Sequence, residues 1–207
     1  MTEIILASQS PRRKHLLEAM GVEFTVQPSG YDEVLDESRN IHEVAEELSL
    51  GKAMDVAKQN PDAFVIGSDT IVGVDERQLE KPTSLNEARN MLLSYAGHES
   101  VVVTGLAVVC LSKDIREVTT DIARVYFKAD NTEVAKMRED YLRTNDWRDK
   151  AGGYGIQNLR GTLIDRVQGD YDTVIGLPTK LLASILNDLG IDAIPVEVDA
   201  NLKYDDK

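Results

Sequence analysis

Short apolar runs and longer segments of helical periodicity alternate along the first third of the chain. The apolar run at 4–7 is typical of a strand, and 22–27 alternates between apolar and polar positions as a second strand does. Between them, Ser10, Pro11 and Gly21 mark the start and end of a helix, because Ser caps, Pro suits the first turn and Gly closes the last. The pattern predicts a strand, a helix and a strand in succession.

A long helix is predicted next. It begins after the cap residue Asn40 and ends before Pro61. The apolar runs at 64–66 and 71–74 then predict two strands, separated by the polar residues at 67–70.

The rest of the chain follows the same two periodicities. In order, the predicted elements are a helix from Ser84 to near Gly97, a hairpin of two long β-rich runs at 99–111 and 115–127, a helix over 132–142, a strand over 162–167, a helix over 178–189 and a last strand over 193–198. No linker or repeat divides the chain. We therefore predict one α/β domain over 1–207, with a mixed central sheet flanked by helices.

Charge narrows the classes of partner. The chain has 36 acidic and 23 basic residues, a net charge of −13. Two segments, 31–47 and 188–207, carry net charges of −6 and −4, so the remainder is close to neutral and has room for a basic site. A strongly acidic protein repels nucleic acid polymers and anionic membranes. No apolar run approaches the roughly 20 residues that cross a bilayer.

Cysteine usage and the first residues bear on the compartment. Cys110 is the single cysteine, which excludes an internal disulfide, and its apolar surroundings in the sequence indicate a buried side chain. The basic residues within 1–14 follow the apolar run, the reverse of their order in a secretory signal. We expect a cytoplasmic protein whose partners include neither nucleic acid polymers nor membranes. The oligomeric state stays open, a homodimer included.

A candidate anion site lies where the first strand leads into the first helix. The N–H groups of a helix's first turn attract anions. Ser8 and Ser10 add hydroxyl donors, and Arg12 and Arg13 bring planar guanidinium groups that suit phosphate oxygens. The alternative is an ordinary helix cap followed by two solvated arginines.

Four further residues are candidates for binding phosphate or a divalent cation. Asp69 follows the strand at 64–66, where a carboxylate can bind a divalent cation or accept a proton from water. The alternative is that Asp69 is a turn residue. Lys52 and Lys81 are candidate phosphate ligands or solvated lysines. Glu33, in the acidic segment, is a candidate ligand for Mg²⁺ or Mn²⁺ or a solvated acid.

The segment at 150–157 is the most unusual stretch of the chain. Its three glycines permit close approach of the backbone to a ligand. Tyr154 is suited to stacking on a base, and Gln157 to hydrogen bonding with its edge. The alternative is a structural glycine turn. The chain contains no Gly-Lys-Ser/Thr, which excludes P-loop chemistry.

Seven short motifs occur in a specific order. They are LASQSPRR at 6–13, LGKA at 50–53, GSDTIV at 67–72, EKP at 80–82, VVTGLAV at 102–108, DKAGGYGIQ at 149–157 and DTVIGLP at 172–178. Together they resemble the Maf (septum-formation inhibitor) family of nucleoside triphosphate pyrophosphatases. The resemblance implies a two-lobed α/β fold with a nucleotide cleft, similar to that of inosine triphosphate pyrophosphatases. It also implies hydrolysis of a nucleoside triphosphate to the monophosphate and pyrophosphate, assisted by a divalent cation.

The resemblance also assigns roles by position. It implies that Asp69 accepts a proton and that Glu33 and Asp69 accompany the metal. The implied substrate-binding residues are Arg13, Lys52 and Lys81 with the loop of Ser8 and Ser10 at the phosphates, and Arg12, Thr70 and Gln157 as specificity positions. These three resemble the branch that hydrolyses dTTP and UTP, whereas the branch acting on 7-methyl-GTP carries Trp in place of Arg12.

One departure and two alternatives accompany the resemblance. Asp146-Trp147 stands where the family usually shows Glu-Pro, which predicts an altered lid beside the cleft. The first alternative is the same reaction on a modified or purine nucleotide. The second is a nucleotide-sensing regulator of cell division without significant catalysis. Cleaning of the nucleotide pool and control of division are both compatible with the sequence.

Overall fold

The computed structural model describes residues 2–32, 39–74 and 77–196, and these contain seven strands, seven α-helices and two short 3₁₀ helices, Leu111–Lys113 and Ala151–Gly153. The strands are β1 (Ile4–Leu6), β2 (Thr25–Val26), β3 (Phe64–Val74), β4 (Arg77–Leu79), β5 (Glu99–Cys110), β6 (Ile115–Phe127) and β7 (Ile164–Gln168). The helices are α1 (Pro11–Ala19), α2 (Ile41–Ala57), α3 (Leu85–Ser94), α4 (Thr132–Thr144), α5 (Ile156–Leu159), α6 (Tyr171–Ile175) and α7 (Thr179–Asp188).

All seven strands belong to one mixed sheet. Its order is β2-β1-β3-β5-β6-β7, and β4 pairs with β3 outside that path. The β2-β1 and β1-β3 pairs are parallel, whereas the other pairs are antiparallel. The long hairpin of β5 and β6 turns through Asp114, whose φ of 55° lies in the left-handed region that Asp tolerates. The predicted mixed sheet is confirmed.

Helices cover both faces of the sheet, as the alternation of apolar residues predicts. In β1, Ile4 and Leu6 pack into the larger apolar cluster, with residues of α1, α3, α4 and α7. Ile5 points the opposite way and packs against Ala53 and Val56 of α2. Because successive side chains of a strand point to opposite faces, a three-residue strand contributes to both layers.

The predicted helix caps are confirmed. The side chains of Ser10, Asn40 and Ser84 each accept a hydrogen bond from a backbone N–H in the first turn of α1, α2 and α3. Gly21 follows α1 with a φ of 76°, which a residue with a Cβ adopts only with strain.

The strand predictions are wrong in three places. Residues 67–70 do not separate two strands, because β3 runs through them and pairs with β5 from Val65 to Gly73. The strand predicted over 22–27 is reduced to β2, the two residues that pair with β1. Residues 193–196 form no strand, and 197–198 lie outside the described residues.

The pairing of β3 leaves an opening in the sheet. On the side away from β5, β1 pairs with 64–66 and β4 pairs with 72–74. Among the described residues, no strand pairs with 67–71 on that side. This gap lies beside the loop that follows β1, and side chains from both faces of β3 reach it.

None of the described helices combines the length and the apolar character that a membrane crossing requires.

Candidate active site

A cavity of about 850 Å³ opens at the unpaired edge of β3. It brings together nine of the ten residues that the sequence singled out as a site. These are Ser8, Ser10, Arg12, Arg13, Lys52, Asp69, Thr70, Lys81 and Gln157. The tenth, Glu33, lies outside the described residues.

Close packing of α2 on the sheet brings Lys52 to Asp69. A Cβ at Gly67 would lie 2.2 Å from the carbonyl oxygen of Ser49, and one at Gly105 would lie 2.0 Å from that of Ala45. Both distances are far below van der Waals contact, so the backbone of α2 rests directly on β3 and β5 where these strands carry glycine.

Lys52 and Asp69 form a buried ion pair. Lys52 is 8% exposed and Asp69 is 7% exposed, and Lys52 Nζ contacts Asp69 Oδ1. Within the described residues, Asp69 Oδ2 has no hydrogen-bond partner, and Asp69 lines the cavity. The pair places one carboxylate and one ammonium group on the cavity wall.

The loop after β1 adds two hydroxyl groups. Ser8 Oγ accepts hydrogen bonds from the backbone N–H of Ser10 at 3.2 Å and from Arg13 Nη1 at 3.3 Å. Ser10 Oγ accepts from the backbone N–H of Arg13 at 3.4 Å. In all the described contacts the two serines act as acceptors, so their hydroxyl protons remain available to an anion.

Arg13 is held from three directions. Besides its contact with Ser8, its Nε donates to the carbonyl oxygen of Gly176 at 2.8 Å, and its Nη2 donates to Thr70 Oγ1 at 3.2 Å. Gly176 has a φ of 119°, and a Cβ there would lie 3.2 Å from Arg13 Nε. Glycine at position 176 therefore permits the positive φ of the turn and leaves space for the guanidinium of Arg13.

Asp172 fixes the segment that presents Gly176. Its carboxylate accepts from the backbone N–H and the hydroxyl of Thr179, each at 2.6 Å, and from the backbone N–H of Thr173 at 3.0 Å. Burial raises the pKa of Asp172 above its ordinary value, although these hydrogen bonds oppose the shift. Asp172 begins the DTVIGLP motif, but its supporting role was missed because the partner Thr179 lies beyond that motif.

A group of three charged residues lines another part of the cavity. Arg12 Nη1 lies 3.8 Å from Asp149 Oδ2, and Lys150 Nζ lies 2.8 Å from Asp149 Oδ1. Partial burial works to raise the pKa of Asp149, but the hydrogen bond from Lys150 and the charges of Lys150 and Arg12 outweigh it and lower the pKa below its ordinary value. Asp149 and Lys150 were missed as site residues, although they begin the DKAGGYGIQ motif.

The glycine-rich segment at 150–157 is held in place by a hydrogen bond from Tyr95. Gly152 has a φ of 69°, and its carbonyl oxygen accepts from Tyr95 at 2.8 Å. Tyr154, a candidate for stacking on a base, lines the cavity but is only 5% exposed, because its ring packs edge-on against Tyr95 and Phe127. Gln157, at the start of α5, is partly buried and lines the cavity as predicted.

Lys81 is exposed and lies at the rim of the same cavity. The preceding residue, Glu80, accepts a backbone hydrogen bond from Gly152 at 3.1 Å, which ties the Lys81 segment to the glycine-rich one. Lys81 is thereby held near the other basic residues by main-chain contact.

In the atypical Asp146-Trp147 pair, Trp147 belongs to the apolar core and Asp146 is partly buried. Trp147 is 1% exposed, and its indole N–H donates to the carbonyl oxygen of Leu142 at 3.1 Å. Asp146 Oδ2 accepts from Asn158 Nδ2 at 2.6 Å. The segment after α4 is thus fixed from both sides.

The balance of charge in the cavity differs from that of the whole chain. Among the described lining residues, five are basic and three are acidic. The basic ones are Arg12, Arg13, Lys52, Lys81 and Lys150, and the acidic ones are Asp69, Glu80 and Asp149. In the described ranges, no three His, Cys, Asp or Glu side chains are grouped as a metal site by themselves.

This chain is similar to several known proteins. A protein named dTTP/UTP pyrophosphatase from Desulforamulus reducens is 42% identical over 194 residues, 94% of this chain and 100% of that protein. One of the same name from Halalkalibacterium halodurans is 43% identical over 178 residues, 86% of this chain and 91% of that protein. A solved nucleoside-triphosphatase / dITP/XTP pyrophosphatase from Mycobacterium abscessus aligns more loosely, with a TM-score of 0.42 and 15% identity over 61% of this chain and 74% of that one.

The family model described as Maf-like protein matches residues 3–189. That range contains all seven motifs and every residue that lines the cavity. Since the match extends over most of the 207 residues, this chain belongs to the Maf family.

Proposed function

We propose that this protein is a hydrolase that converts dTTP and UTP to the monophosphate and pyrophosphate. The observation that carries the proposal is the convergence of Arg13, Lys52 and Lys81 on one cavity that also holds the carboxylate of Asp69. The name shared by the two relatives above, dTTP/UTP pyrophosphatase, supports the choice of substrate.

The basic residues account for binding of a triphosphate. A triphosphate carries about four negative charges at neutral pH, and the net charge of the whole chain, −13, opposes its approach. Five basic side chains at the cavity offset that charge locally. The hydroxyl groups of Ser8 and Ser10 add neutral donors beside Arg13.

Asp69 is the group we assign to activation of water. A buried carboxylate on the cavity wall is suited to orient a water molecule and to accept its proton as the oxygen attacks phosphorus. Lys52 fixes the carboxylate through Oδ1, which leaves Oδ2 for the water. Lys52 also places positive charge where the phosphates gather charge in the transition state.

A divalent cation fits the donor set. Mg²⁺ is commonly held by one or two carboxylates together with the phosphates of a substrate. Asp69 supplies one such carboxylate, and we assign the second to Glu33. The bound cation would stabilise negative charge on the phosphate oxygens as pyrophosphate leaves.

Gln157 is the residue we assign to the base. Its amide both donates and accepts hydrogen bonds, which matches the O4 acceptor and N3–H donor shared by thymine and uracil. Cytosine reverses both groups, so it requires the Gln157 amide to rotate by about 180°.

Release of pyrophosphate from a panel of nucleoside triphosphates, with Mg²⁺ or Mn²⁺ present, tests the proposal. We expect the highest kcat/KM with dTTP and UTP. A purine or modified nucleotide that exceeds both would refute the substrate assignment. Tight nucleotide binding without turnover of any member of the panel would favour a regulatory protein instead.

Asp69→Asn tests the assignment of the base. The substitution keeps the size of the side chain but removes its capacity to take a proton, so turnover should fall at least about 10²-fold while nucleotide binding persists. Asp188→Asn, at an exposed position in the last turn of α7, is the matched control and should retain full activity. Near-normal turnover of the Asp69 variant would remove that residue from the role.

A further inference from the structure

A line of hydroxyl groups runs from the cavity into the core. Thr70 and Thr104 are directly opposite each other on β3 and β5, and their Oγ1 atoms lie 3.0 Å apart. Thr104 Oγ1 lies 2.7 Å from the carbonyl oxygen of Thr173 in α6. Thr104 is fully buried, whereas Thr70 lines the cavity.

The chemistry of these groups fixes the direction of every hydrogen bond in the line. A carbonyl oxygen accepts and never donates, so the single proton of Thr104 is directed at Thr173. Thr104 therefore accepts from Thr70, and the single proton of Thr70 is directed at Thr104.

Thr70 is left as an acceptor alone. A hydroxyl oxygen has two lone pairs, and one of those on Thr70 receives the N–H of Arg13 Nη2 at 3.2 Å. The lone pair that remains is available to a donor in the cavity. An acceptor on a bound molecule would meet an oxygen whose proton points away from it.

We propose that Thr104 is a positioning residue for substrate selection, which holds Thr70 as a hydrogen-bond acceptor so that the cavity favours a nucleotide presenting an N–H or O–H donor at that point. The proposal rests on the proposed function for its substrate class. The donor has two sources in a nucleotide, an N–H of the base or a hydroxyl of the sugar.

Thr104→Val tests the proposal, because it keeps the shape of the side chain and removes its hydroxyl. The proton of Thr70 then turns freely, and Thr70 becomes able to donate. Thr104→Ser keeps the hydroxyl and is the matched control. Two ratios of kcat/KM separate the sources. The first is kcat/KM for UTP divided by that for CTP, because CTP has an acceptor in place of the N3–H donor of the base. The second is kcat/KM for UTP divided by that for 3′-O-methyl-UTP, which lacks a sugar donor but keeps its oxygen.

We expect Thr104→Val to lower one of these ratios about fivefold, mainly through KM, since one neutral hydrogen bond is at stake. Thr104→Ser should restore it to within about twofold of the wild-type ratio. In a Thr70→Val background, Thr104→Val should have no further effect on the ratio, because the residue through which it acts has lost its hydroxyl.

Three kinetic results would overturn the proposal. They are unchanged ratios in a folded Thr104→Val protein, a Thr104→Val effect that persists in the Thr70→Val background, and a Thr104→Ser protein that behaves like Thr104→Val. Thr104→Ala is the second variant should Thr104→Val lose its thermal transition. Failure of both to fold, while Thr104→Ser folds, would assign the hydroxyl to the fold and also overturn the proposal.

The same comparisons can be made without turnover, as ratios of Kd for the α,β-imido analogues of UTP, CTP and 3′-O-methyl-UTP. Absence of turnover with every nucleotide would refute the proposed function and still leave these ratios measurable. A change in the binding ratios would then uphold the role of Thr104 alone.

Discussion

Gly67→Ala is the substitution that most directly tests how the site is assembled. The new Cβ would lie 2.2 Å from the carbonyl oxygen of Ser49 and 2.8 Å from the backbone nitrogen of Ala53, both in α2. Backbone atoms cannot turn aside as a flexible side chain does, so helix and strand must separate by about 1 Å. Lys52 belongs to the same helix and would move away from Asp69.

The size of the effect follows from that displacement. Overpacking of a core costs about 1–3 kcal/mol, and a clash of this depth against backbone belongs at the upper end. In a protein of this length, about 3 kcal/mol lowers Tm by about 6–12 °C. A displacement of about 1 Å at a reacting group is expected to lower kcat about 10²-fold.

Thermal unfolding and pyrophosphate release measure the two effects separately. Gly30→Ala is the matched control, because its Cβ would meet its nearest atom, Asp55 Oδ2, at 3.8 Å, an ordinary contact. The control should keep the wild-type Tm or raise it slightly. A Gly67→Ala protein with wild-type Tm and turnover would refute the argument that close packing of α2 holds the Lys52–Asp69 pair together.

Two further predictions concern the segment after α4. Trp147→Ala should lower the free energy of unfolding, measured with urea, by about 3–5 kcal/mol, because it leaves a cavity where Trp147 is 1% exposed and its indole N–H donates to the carbonyl oxygen of Leu142. A decrease below about 1 kcal/mol would show that the segment is peripheral. Asp149→Asn tests how stability depends on pH. Lys150 and Arg12 lower the pKa of Asp149 in the folded state, so the contribution of Asp149 to the free energy of unfolding is present above its ordinary pKa of 3.8 and is lost as pH falls through the lowered pKa. The Asp149 side chain is 65% exposed, so solvent screening limits the effect: between pH 5 and 2 the wild type should lose measurably more stability than the variant, by up to about 1 kcal/mol, and equal losses in the two proteins would contradict the lowered pKa.

Local signals were sufficient for much of the fold. The caps at Ser10, Asn40 and Ser84 were predicted correctly, because a helix cap depends on a hydrogen bond within three residues of itself. The hairpin of β5 and β6 was also predictable, since both strands are long and connect through a short turn. Short α6 was missed because its five residues carry little periodicity of their own.

The error at 67–70 has a different cause. Gly, Ser, Asp and Thr in succession favour a turn by local propensity, and the sequence pattern accordingly indicated a break. In the folded chain these residues pair with 104–107 of β5, and the ladder outweighs local preference. The same residues still lie at a cavity, because the neighbouring strands on the other side stop short of them.

The sequence by itself determined which residues make up the candidate site. The order of its motifs identified the residue types that a triphosphate requires, and nine of the ten chosen residues line one cavity. The tertiary structure decided what those residues can do. The Lys52–Asp69 pair requires two backbones to touch at Gly67 and Gly105, and the acceptor role of Thr70 requires Thr104 and a carbonyl of α6 behind it. Such contacts join positions far apart in the chain, and no local pattern of residues records them.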